Sequence, residues 1–251
     1  MASQRPTGAR YRLKVVDKRK GVRYACRMRR YAIAVMARVP EAGRVKTRLV
    51  PPLSHERAAE LYRCFLLDKL QQVAGIPDID PYLAYTPIEA RLSMLAMLPE
   101  SFTLIPQAGS TLGDRLHRLS AILLERGHPA TLLIDSDSPT LPTSYLLDAI
   151  ARLQSGTTDL VLGPAEDGGY YLIGLKRPCR ALFDNIPWSG PTVLTDTLRR
   201  AATQQLQVAM LPSWFDVDMP DDLARLRRDL ATAGTTVAPH TRRFLFNEQE
   251  G

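Results

Sequence analysis

Two aspartates that follow a short strand-like run in the middle of the chain need a chemical reason for their placement. Asp135 and Asp137 come directly after the run TLLI at 131–134, which suits a buried strand. Neighbouring carboxylates repel each other unless a cation joins them, and carboxylate oxygens are ligands that Mg²⁺ and Mn²⁺ prefer. The pair therefore predicts a metal site. The alternative is that both side chains only cap a turn.

A basic loop follows the first strand-like run of the chain. Gly43 stands in a predicted turn, and Arg44, Lys46 and Arg48 follow at alternate positions. Glycine lets the backbone approach an anion closely, while Lys and Arg supply charge and hydrogen bonds to phosphate oxygens. The loop predicts polyphosphate binding, with a solvated basic loop as the alternative. It is not a Walker loop, because the pattern GxxxxGK[ST] is absent.

Two further loops carry acids. Asp167 precedes Gly168 and Gly169, so its carboxylate could take a proton from an acceptor hydroxyl while the glycines let a ligand come close. The same triplet also suits a hairpin turn. Asp218 stands just before a predicted helix, where it either joins Asp137 at a metal or caps the helix. The residues alone leave that choice open.

Other common catalytic patterns are missing from the sequence. The four histidines form no HxH or HExxH spacing, and there is no GxSxG elbow, which disfavours zinc and serine-hydrolase chemistry. Cys26, Cys64 and Cys179 are too widely spaced for a metal pattern and are expected to be reduced thiols. Asp221 and Asp222 fall in the first turn of a predicted helix and are assigned to capping.

The elements that must position these loops alternate between strand-like and helical patterns. Such alternation is typical of βαβ units and of an α/β fold with a mostly parallel sheet. The predicted strands are 31–38, 81–85, 103–106, 131–134, 160–162, 170–175 and 207–211. The predicted helices are 54–73, 88–97, 112–125, 143–154 (with Thr143 as N-cap), 191–202 and 220–233. Ligands of such sheets bind beyond the carboxyl ends of the strands, where the loops described above lie.

The charge of the chain is unevenly distributed. Eleven basic residues and one acid stand between Arg5 and Arg30, and the remainder has 22 basic against 25 acidic residues. We predict a basic, disordered leader at 1–30, one domain at 31–234 and a tail at 235–251. A weak nucleic-acid or membrane-surface contact by the leader is the alternative, and Met28 is a candidate for the natural start. With no apolar run long enough for a membrane span or secretory signal, the expected location is the cytoplasm.

Six segments, in one order along the chain, carry a resemblance to a known family. They are MARVPEAGRVKTRL (36–49), LGDRL (112–116), IDSDSPTLP (134–142), LGPAEDGGYYLIGL (162–175), PWSGPTVL (187–194) and DVDMPDDL (216–223). Together they resemble nucleotide-diphospho-sugar transferase-like proteins, a family that includes uncharacterised glycosyltransferases associated with arsenosugar or radical-SAM gene clusters. The order of several motifs is more specific than any one of them.

The resemblance implies a GT-A-type, Rossmann-like three-layer sandwich that binds a nucleotide together with Mg²⁺ or Mn²⁺. The implied metal ligands are Asp137 and Asp218. The implied nucleotide and phosphate contacts are Gly43, Arg44, Lys46, Arg48, Arg115 and Asp135. The implied acceptor contacts are Gly168, Gly169, Tyr170, Trp188 and Ser189.

Three functions remain open at this point. The first is a glycosyltransferase that moves a sugar from a nucleotide diphosphate sugar to a small-molecule acceptor, with Asp137, Asp167 and Lys46 in the catalytic site. The second is a nucleotidylyltransferase that joins an NTP to a phosphorylated small molecule, since the VKTRL loop resembles those of molybdopterin and phospholactate nucleotidyltransferases. The third is a non-catalytic nucleotide-binding module, which the intact acidic set disfavours.

Overall fold

The computed structural model describes residues 30–188 and 190–246. The predicted leader, apart from Arg30, and the predicted contact Ser189 lie outside the described residues. The strands are β1 (Tyr31–Arg38), β2 (Ile79–Thr86), β3 (Thr103–Pro106), β4 (Thr131–Ile134), β5 (Leu160–Pro164), β6 (Tyr170–Leu175) and β7 (Val208–Met210). The α-helices are α1 (His55–Ala74), α2 (Arg91–Leu95), α3 (Leu112–Glu125), α4 (Thr143–Gln154), α5 (Val193–Thr203), α6 (Pro220–Thr232) and α7 (Pro239–Phe246).

The seven strands form one mixed sheet in the order β3-β2-β1-β4-β6-β5-β7. β6 runs antiparallel to both β4 and β5, whereas the other neighbouring pairs are parallel. The predicted mostly parallel α/β sheet is therefore confirmed. The predicted helix at 88–97 is shorter, because a 3₁₀ turn at Ile88–Ala90 precedes α2. Thr143 is the first residue of α4 and not its cap, a position that Pro142 occupies.

Helices cover both faces of the sheet, as the predicted three-layer sandwich requires. Successive residues of a strand point to opposite faces. Ile33 and Val35 of β1 accordingly pack with α1, α2 and α4, while Ala32 and Ala34 pack with α3 and α5. Strands buried on both faces read as continuous apolar runs, which is why the central strands could be recognised in the sequence.

A third apolar cluster joins α1, α6 and α7 beside the sheet. The sequence patterns assign no element to 235–251, yet α7 forms there and buries Phe244 and Leu245 in this cluster. The buried carboxylate of Asp68 on α1 accepts hydrogen bonds from the backbone N–H groups of His240 (2.8 Å) and Thr241 (2.9 Å). These bonds satisfy free donors at the start of α7 and fix it to α1.

The sheet has its topological switch point between β1 and β4. From β1 the chain moves through α1 to β2 on one side, whereas β4 leads to β5 and β6 on the other. The two connections diverge and leave a crevice at the carboxyl ends of these neighbouring strands. The basic loop after β1 and Asp135 after β4 both border that crevice. No helix among the described residues is long and apolar enough to cross a bilayer.

Candidate active site

A cavity of about 630 Å³ opens at the carboxyl ends of β1 and β4. Its charged lining divides by position in the sheet. The basic side is formed by the end of β1, the loop after it, and α3: Arg38, Arg44, Arg48 and Arg115. The acidic side is formed by the loops after β4, β5 and β7: Asp135, Asp137, Asp167, Asp216 and Asp218. Lys46 lies where the two sides meet.

Asp137 and Asp218 converge on one point, and the ammonium of Lys46 occupies it. Lys46 Nζ lies 2.5 Å from Asp137 Oδ1 and 2.6 Å from Asp218 Oδ1. Burial alone would lower the pKa of Lys46, but the two carboxylates reverse that effect and raise the pKa above its usual value. Asp218 therefore lies beside Asp137 around a shared cation, and its role as a metal ligand stays a prediction. Lys46, expected at the phosphates, is held by the acids in this structure.

Local packing explains why these three side chains meet. Val45 and Leu49 are buried in the cluster with α1 and α6, so the basic loop is anchored on both sides of Lys46. The backbone N–H of Val217 donates to the carbonyl of Asp137 at 3.0 Å, which ties the segment before α6 to the loop after β4. The carboxylate of Asp222 accepts N–H groups at the start of α6, the capping role expected of it.

Asp135 is held from behind by a lysine that the sequence patterns did not single out. Lys69 on α1 is fully buried; its Nζ donates to the carbonyl of Ser138 at 2.9 Å and lies 3.9 Å from Asp135 Oδ1. Ser138 Oγ in turn donates to Asp135 Oδ2 at 2.5 Å. Burial nevertheless raises the pKa of Asp135 to about 6, with the Lys69 charge opposing the shift. Lys69 thus fixes the acidic loop without touching the open cavity.

A hydrogen-bond chain fixes the ends of β1 and β4 against α1. The hydroxyl of Tyr62 accepts the backbone N–H of Arg38 at 3.0 Å and lies 2.8 Å from Ser136 Oγ. Ser136 Oγ donates to the carbonyl of Met36 at 3.0 Å, so Tyr62 must donate to Ser136. These hydrogen bonds therefore hold the basic loop at a fixed distance from Asp137. None of these polar groups is recognisable from sequence spacing, because they come from three elements.

Asp216 and Asp167 both line the acidic side of the cavity, close enough for the charge of Asp167 to act on Asp216. The segment before α6 runs along the end of β5, where the backbone N–H of Trp214 donates to the Pro164 carbonyl at 3.0 Å. Burial, followed by the charges of Asp218 and Asp167, raises the pKa of Asp216 to about 7. Asp216 was not among the predicted site residues. Its spacing of two from Asp218 repeats that of the other acidic pair and could have pointed to it.

The raised pKa of Asp216 predicts a pH-dependent stability. A carboxyl group whose pKa is higher in the folded state stabilises the fold fully below its ordinary pKa, and this contribution is lost as the pH rises through about 7. Asp216→Asn should therefore raise the free energy of unfolding by about 1–2 kcal/mol at pH 8, and by much less at pH 5, when a chelator is present. Urea unfolding at both pH values measures this difference. Asp221→Asn, which removes an exposed carboxylate nearby, is the control. An equal gain in the free energy of unfolding of Asp216→Asn at both pH values would contradict the prediction.

The loop after β5 forms a tight turn that presents Asp167. The carboxylate Oδ1 of Asp167 accepts the N–H of Gly169 at 2.8 Å, so the DGG triplet is a turn, and its first and third residues line the cavity. Gly168 has φ 93°, and a Cβ there would overlap the carbonyl oxygen of Pro191. Only glycine both adopts this φ angle readily and leaves room for the Pro191 carbonyl. Gly168 therefore shapes the turn and does not itself line the cavity.

Gly168→Ala should lower the free energy of unfolding by about 2–5 kcal/mol, since it adds a backbone clash to the cost of a left-handed conformation. Gly156→Ala is a matched control: Gly156 also has positive φ, 83°, but a Cβ there meets nothing within 4 Å. The control should lose only about 1–2 kcal/mol. Urea unfolding compares the two variants, and equal losses would show that Pro191 can move away.

On the basic side, the structure brings most of the predicted phosphate contacts together. Arg115 lines the cavity near Arg38, and burial, followed by the Arg38 charge, lowers the pKa of Arg115. Arg48 lines the same cavity, and Arg44 stands at its rim in a pair with Glu41. Arg38 was missed as a site residue although its place at the end of β1 marks it.

Gly43 is the predicted phosphate contact that does not line the cavity. It lies in the turn after β1 with φ 75°, so its role in this structure is to shape the basic loop.

Two aromatic residues contribute to the apolar part of the cavity lining. Tyr170 at the start of β6 and Trp188 pack edge to face, with ring centroids 6.4 Å apart. The indole of Trp188 lies over Gly113 at the start of α3, where a Cβ would be 2.8 Å from Nε1. Both aromatic residues line the cavity, and their role as acceptor contacts stays a prediction. The contact between Trp188 and Gly113 explains why the LGDRL segment has glycine at position 113, because any side chain there would push Trp188 away.

The fold and the site together define a class of protein. A mostly parallel sheet with a basic loop after β1 and paired carboxylates after β4 is typical of open α/β proteins that bind a ligand at the carboxyl ends of their strands. Chain comparison is consistent with this class. The chain is similar to a Desulfovibrio desulfuricans G20 protein whose structure is provisionally described as that of a nucleotide-diphospho-sugar transferase. The match covers 88% of this chain and 95% of that one, with 32% sequence identity and a TM-score of 0.82. The chain belongs to the nucleotide-diphospho-sugar transferase-like family and is a transferase.

More distant structures share the fold alone. A 4-diphosphocytidyl-2C-methyl-D-erythritol synthase from Anaerococcus prevotii DSM 20548 matches with 11% identity and a TM-score of 0.55, over 80% of this chain and 96% of that one. A cytidylyltransferase from Leptospira borgpetersenii matches with 10% identity and a TM-score of 0.54, over 88% and 95%. Residues 69–190 match a family described as an uncharacterized protein conserved in bacteria, DUF2064. No curated protein matches the chain.

Proposed function

We propose that this protein is a metal-dependent glycosyltransferase that moves a sugar from a nucleotide diphosphate sugar to a hydroxyl of a small-molecule acceptor. The observation that carries the proposal is the charge division of the cavity. The basic side offers four arginines to a diphosphate, whereas Asp167 and Asp216 make the opposite side unfavourable for a second anion. A neutral or cationic acceptor with a hydroxyl group fits that side, and a phosphorylated acceptor does not.

The chemistry requires a base at the acceptor and positive charge at the leaving group. The acceptor oxygen forms a bond to the anomeric carbon, the bond from that carbon to the diphosphate oxygen breaks, and the nucleoside diphosphate leaves with the bonding electrons. Asp167 takes the hydroxyl proton, because one of its oxygens is already fixed by Gly169 and the other has no hydrogen bond within the described part of the chain. The arginines stabilise the charge that develops on the diphosphate.

The donor set fits Mg²⁺ or Mn²⁺. The carboxylates of Asp137 and Asp218 already hold one cation, the Lys46 ammonium, at the point where they converge. In residues 30–188 and 190–246 no group of three or more His, Cys, Asp or Glu side chains is arranged so that all of them could hold one metal ion. Mg²⁺ typically takes only one or two protein carboxylates and completes its shell with water and substrate phosphates. When bound, such an ion would neutralise charge on the leaving diphosphate.

Nucleotidyl transfer is the second candidate, and the four arginines of the basic side are equally suited to it. Four guanidinium groups on the basic side suit the larger negative charge of a triphosphate as well as that of a diphosphate. In that reaction an acceptor oxygen attacks the α-phosphorus and pyrophosphate leaves. The acidic side opposes a phosphorylated acceptor, so glycosyl transfer remains the first proposal.

Thermal shift followed by product analysis tests the proposal. NTPs and nucleotide sugars, each with Mg²⁺, Mn²⁺ or EDTA, are screened for stabilisation, which reports binding by mass action. We expect a nucleotide sugar with metal to give the largest shift, and subsequent turnover to release a nucleoside diphosphate. Stabilisation by an NTP with release of pyrophosphate would replace glycosyl by nucleotidyl transfer. Absence of stabilisation by either class would contradict both.

A further inference from the structure

The buried position of Lys46 differs from that of an ordinary phosphate-binding lysine. Its side chain is only 4% exposed, whereas those of Asp137 and Asp218 are 37% and 42% exposed. The ammonium lies 5.9 Å from the ring centres of both Tyr62 and Phe65, which close off its other side. The carboxylates are therefore open to solvent in the cavity, whereas the side chain of Lys46, which lines the same cavity, is almost fully covered.

The backbone holds Lys46 in this position. Lys46 has φ 48°, a left-handed conformation that is uncommon for a residue with a side chain, and its neighbour Val45 is buried. A lysine without these constraints would extend into the cavity, where phosphate oxygens would meet it. Here the loop directs the ammonium to the two carboxylates, where it offsets one of their two negative charges in the free protein.

We propose that Lys46 is an internal cation that a divalent metal ion must displace, and that the displaced ammonium then contacts the donor phosphates. The inference rests on the proposed function. An ammonium and a divalent ion need the same oxygens of Asp137 and Asp218, so both cannot occupy the point of convergence. The lysine side chain is long and flexible, and the cavity that it would enter already has arginines on its basic side.

The exchange makes metal and donor binding reinforce each other. When the metal takes the carboxylates, Lys46 loses both of its partners and would be left as an unpaired, buried charge. Donor phosphates supply replacement partners for the ammonium, as well as ligands for the metal. The metal alone should consequently bind weakly, and the metal with donor should bind more tightly than the sum of the separate affinities predicts.

Binding of Mn²⁺ alone provides the first test. Free Mn²⁺ is measured by electron paramagnetic resonance with wild type, Lys46→Met and Arg48→Met. Both variants lose one positive charge from the same loop beside the same cavity, but Arg48 has no ion pair with Asp137 or Asp218 in the described part of the chain. We expect about 10-fold tighter binding for Lys46→Met, and less than about threefold for the control. Similar changes in both variants, or none for Lys46→Met, would overturn the inference.

Amine labelling of the wild-type protein provides a test that needs no variant. Acetylation with a limiting reagent is followed by peptide mass spectrometry, with partly exposed Lys176 and fully buried Lys69 as internal references. Lys46 should be protected in EDTA and become several-fold more reactive in saturating Mg²⁺. Unchanged protection would overturn the displacement. If Mn²⁺ and a nucleotide sugar still stabilise the protein in that case, the proposed function survives; if neither binds, both fail.

Discussion

Replacing Asp137 with asparagine is expected to reduce the metal-dependent transfer rate by about 100-fold or more while leaving the fold intact. The amide keeps the size of the side chain but removes one of the two charges that converge on Lys46. Asp218 alone would then be balanced by the ammonium, leaving no net negative charge at their point of contact to attract a divalent ion. Loss of a metal-supplied stabilisation of several kcal/mol corresponds to at least a 100-fold decrease in rate.

Initial rates at saturating donor, measured over a series of Mg²⁺ and Mn²⁺ concentrations, test this effect. Asp221→Asn is the matched control, since it removes an exposed carboxylate from the same acidic segment without touching the cavity. Circular dichroism and urea unfolding establish that each variant is folded. A variant at residue 137 that turned over at the wild-type rate with an unchanged metal requirement would remove Asp137 from the mechanism.

The sheet was predictable because its central strands are buried on both faces. β1 and β4 consist almost entirely of apolar residues and were located with their observed bounds, since a short continuous apolar run is typical of a strand that helices cover on both faces. The edges were less predictable. β2 begins at Ile79, before Asp80 and Pro81 interrupt the apolar pattern, and pairing with β1 extends it. α7 was missed because its packing surface on α1 is not visible in its own short sequence.

The parts of the site that lie in short sequence motifs were predictable, whereas the contacts that depend on tertiary packing were not. The acidic pair after β4 and the basic loop after β1 show in the sequence because strand ends meet at one edge of a sheet. The pairing of Lys46 with the two carboxylates cannot be seen in the sequence, because it depends on the φ angle of Lys46 and on the burial of Val45. Lys69 lies within an apolar helical run, where only the three-dimensional contacts show that it faces Asp135.

Asp167→Asn is expected to lower kcat by about 100-fold or more with little change in the KM for the donor. Asparagine can keep the hydrogen bond from the Gly169 N–H through its carbonyl oxygen, so the turn should survive. It cannot take up the proton of the acceptor hydroxyl, and loss of a general base typically costs about 10²–10⁴-fold. The donor diphosphate contacts the other side of the cavity, which this substitution does not alter.

Glu166→Gln separates this role from a general effect of charge. Glu166 is the adjacent acid, but its carboxylate is paired with Arg225 at 2.6 and 3.1 Å and does not line the cavity. The control should keep kcat within a few-fold of wild type, because no reacting group touches it. A loss confined to the variant at residue 167, and confined to kcat, identifies a base that acts after the donor has bound. Equal losses in both variants, or a rise in donor KM alone, would instead make the loop a binding element, and the proton would have to leave by another route.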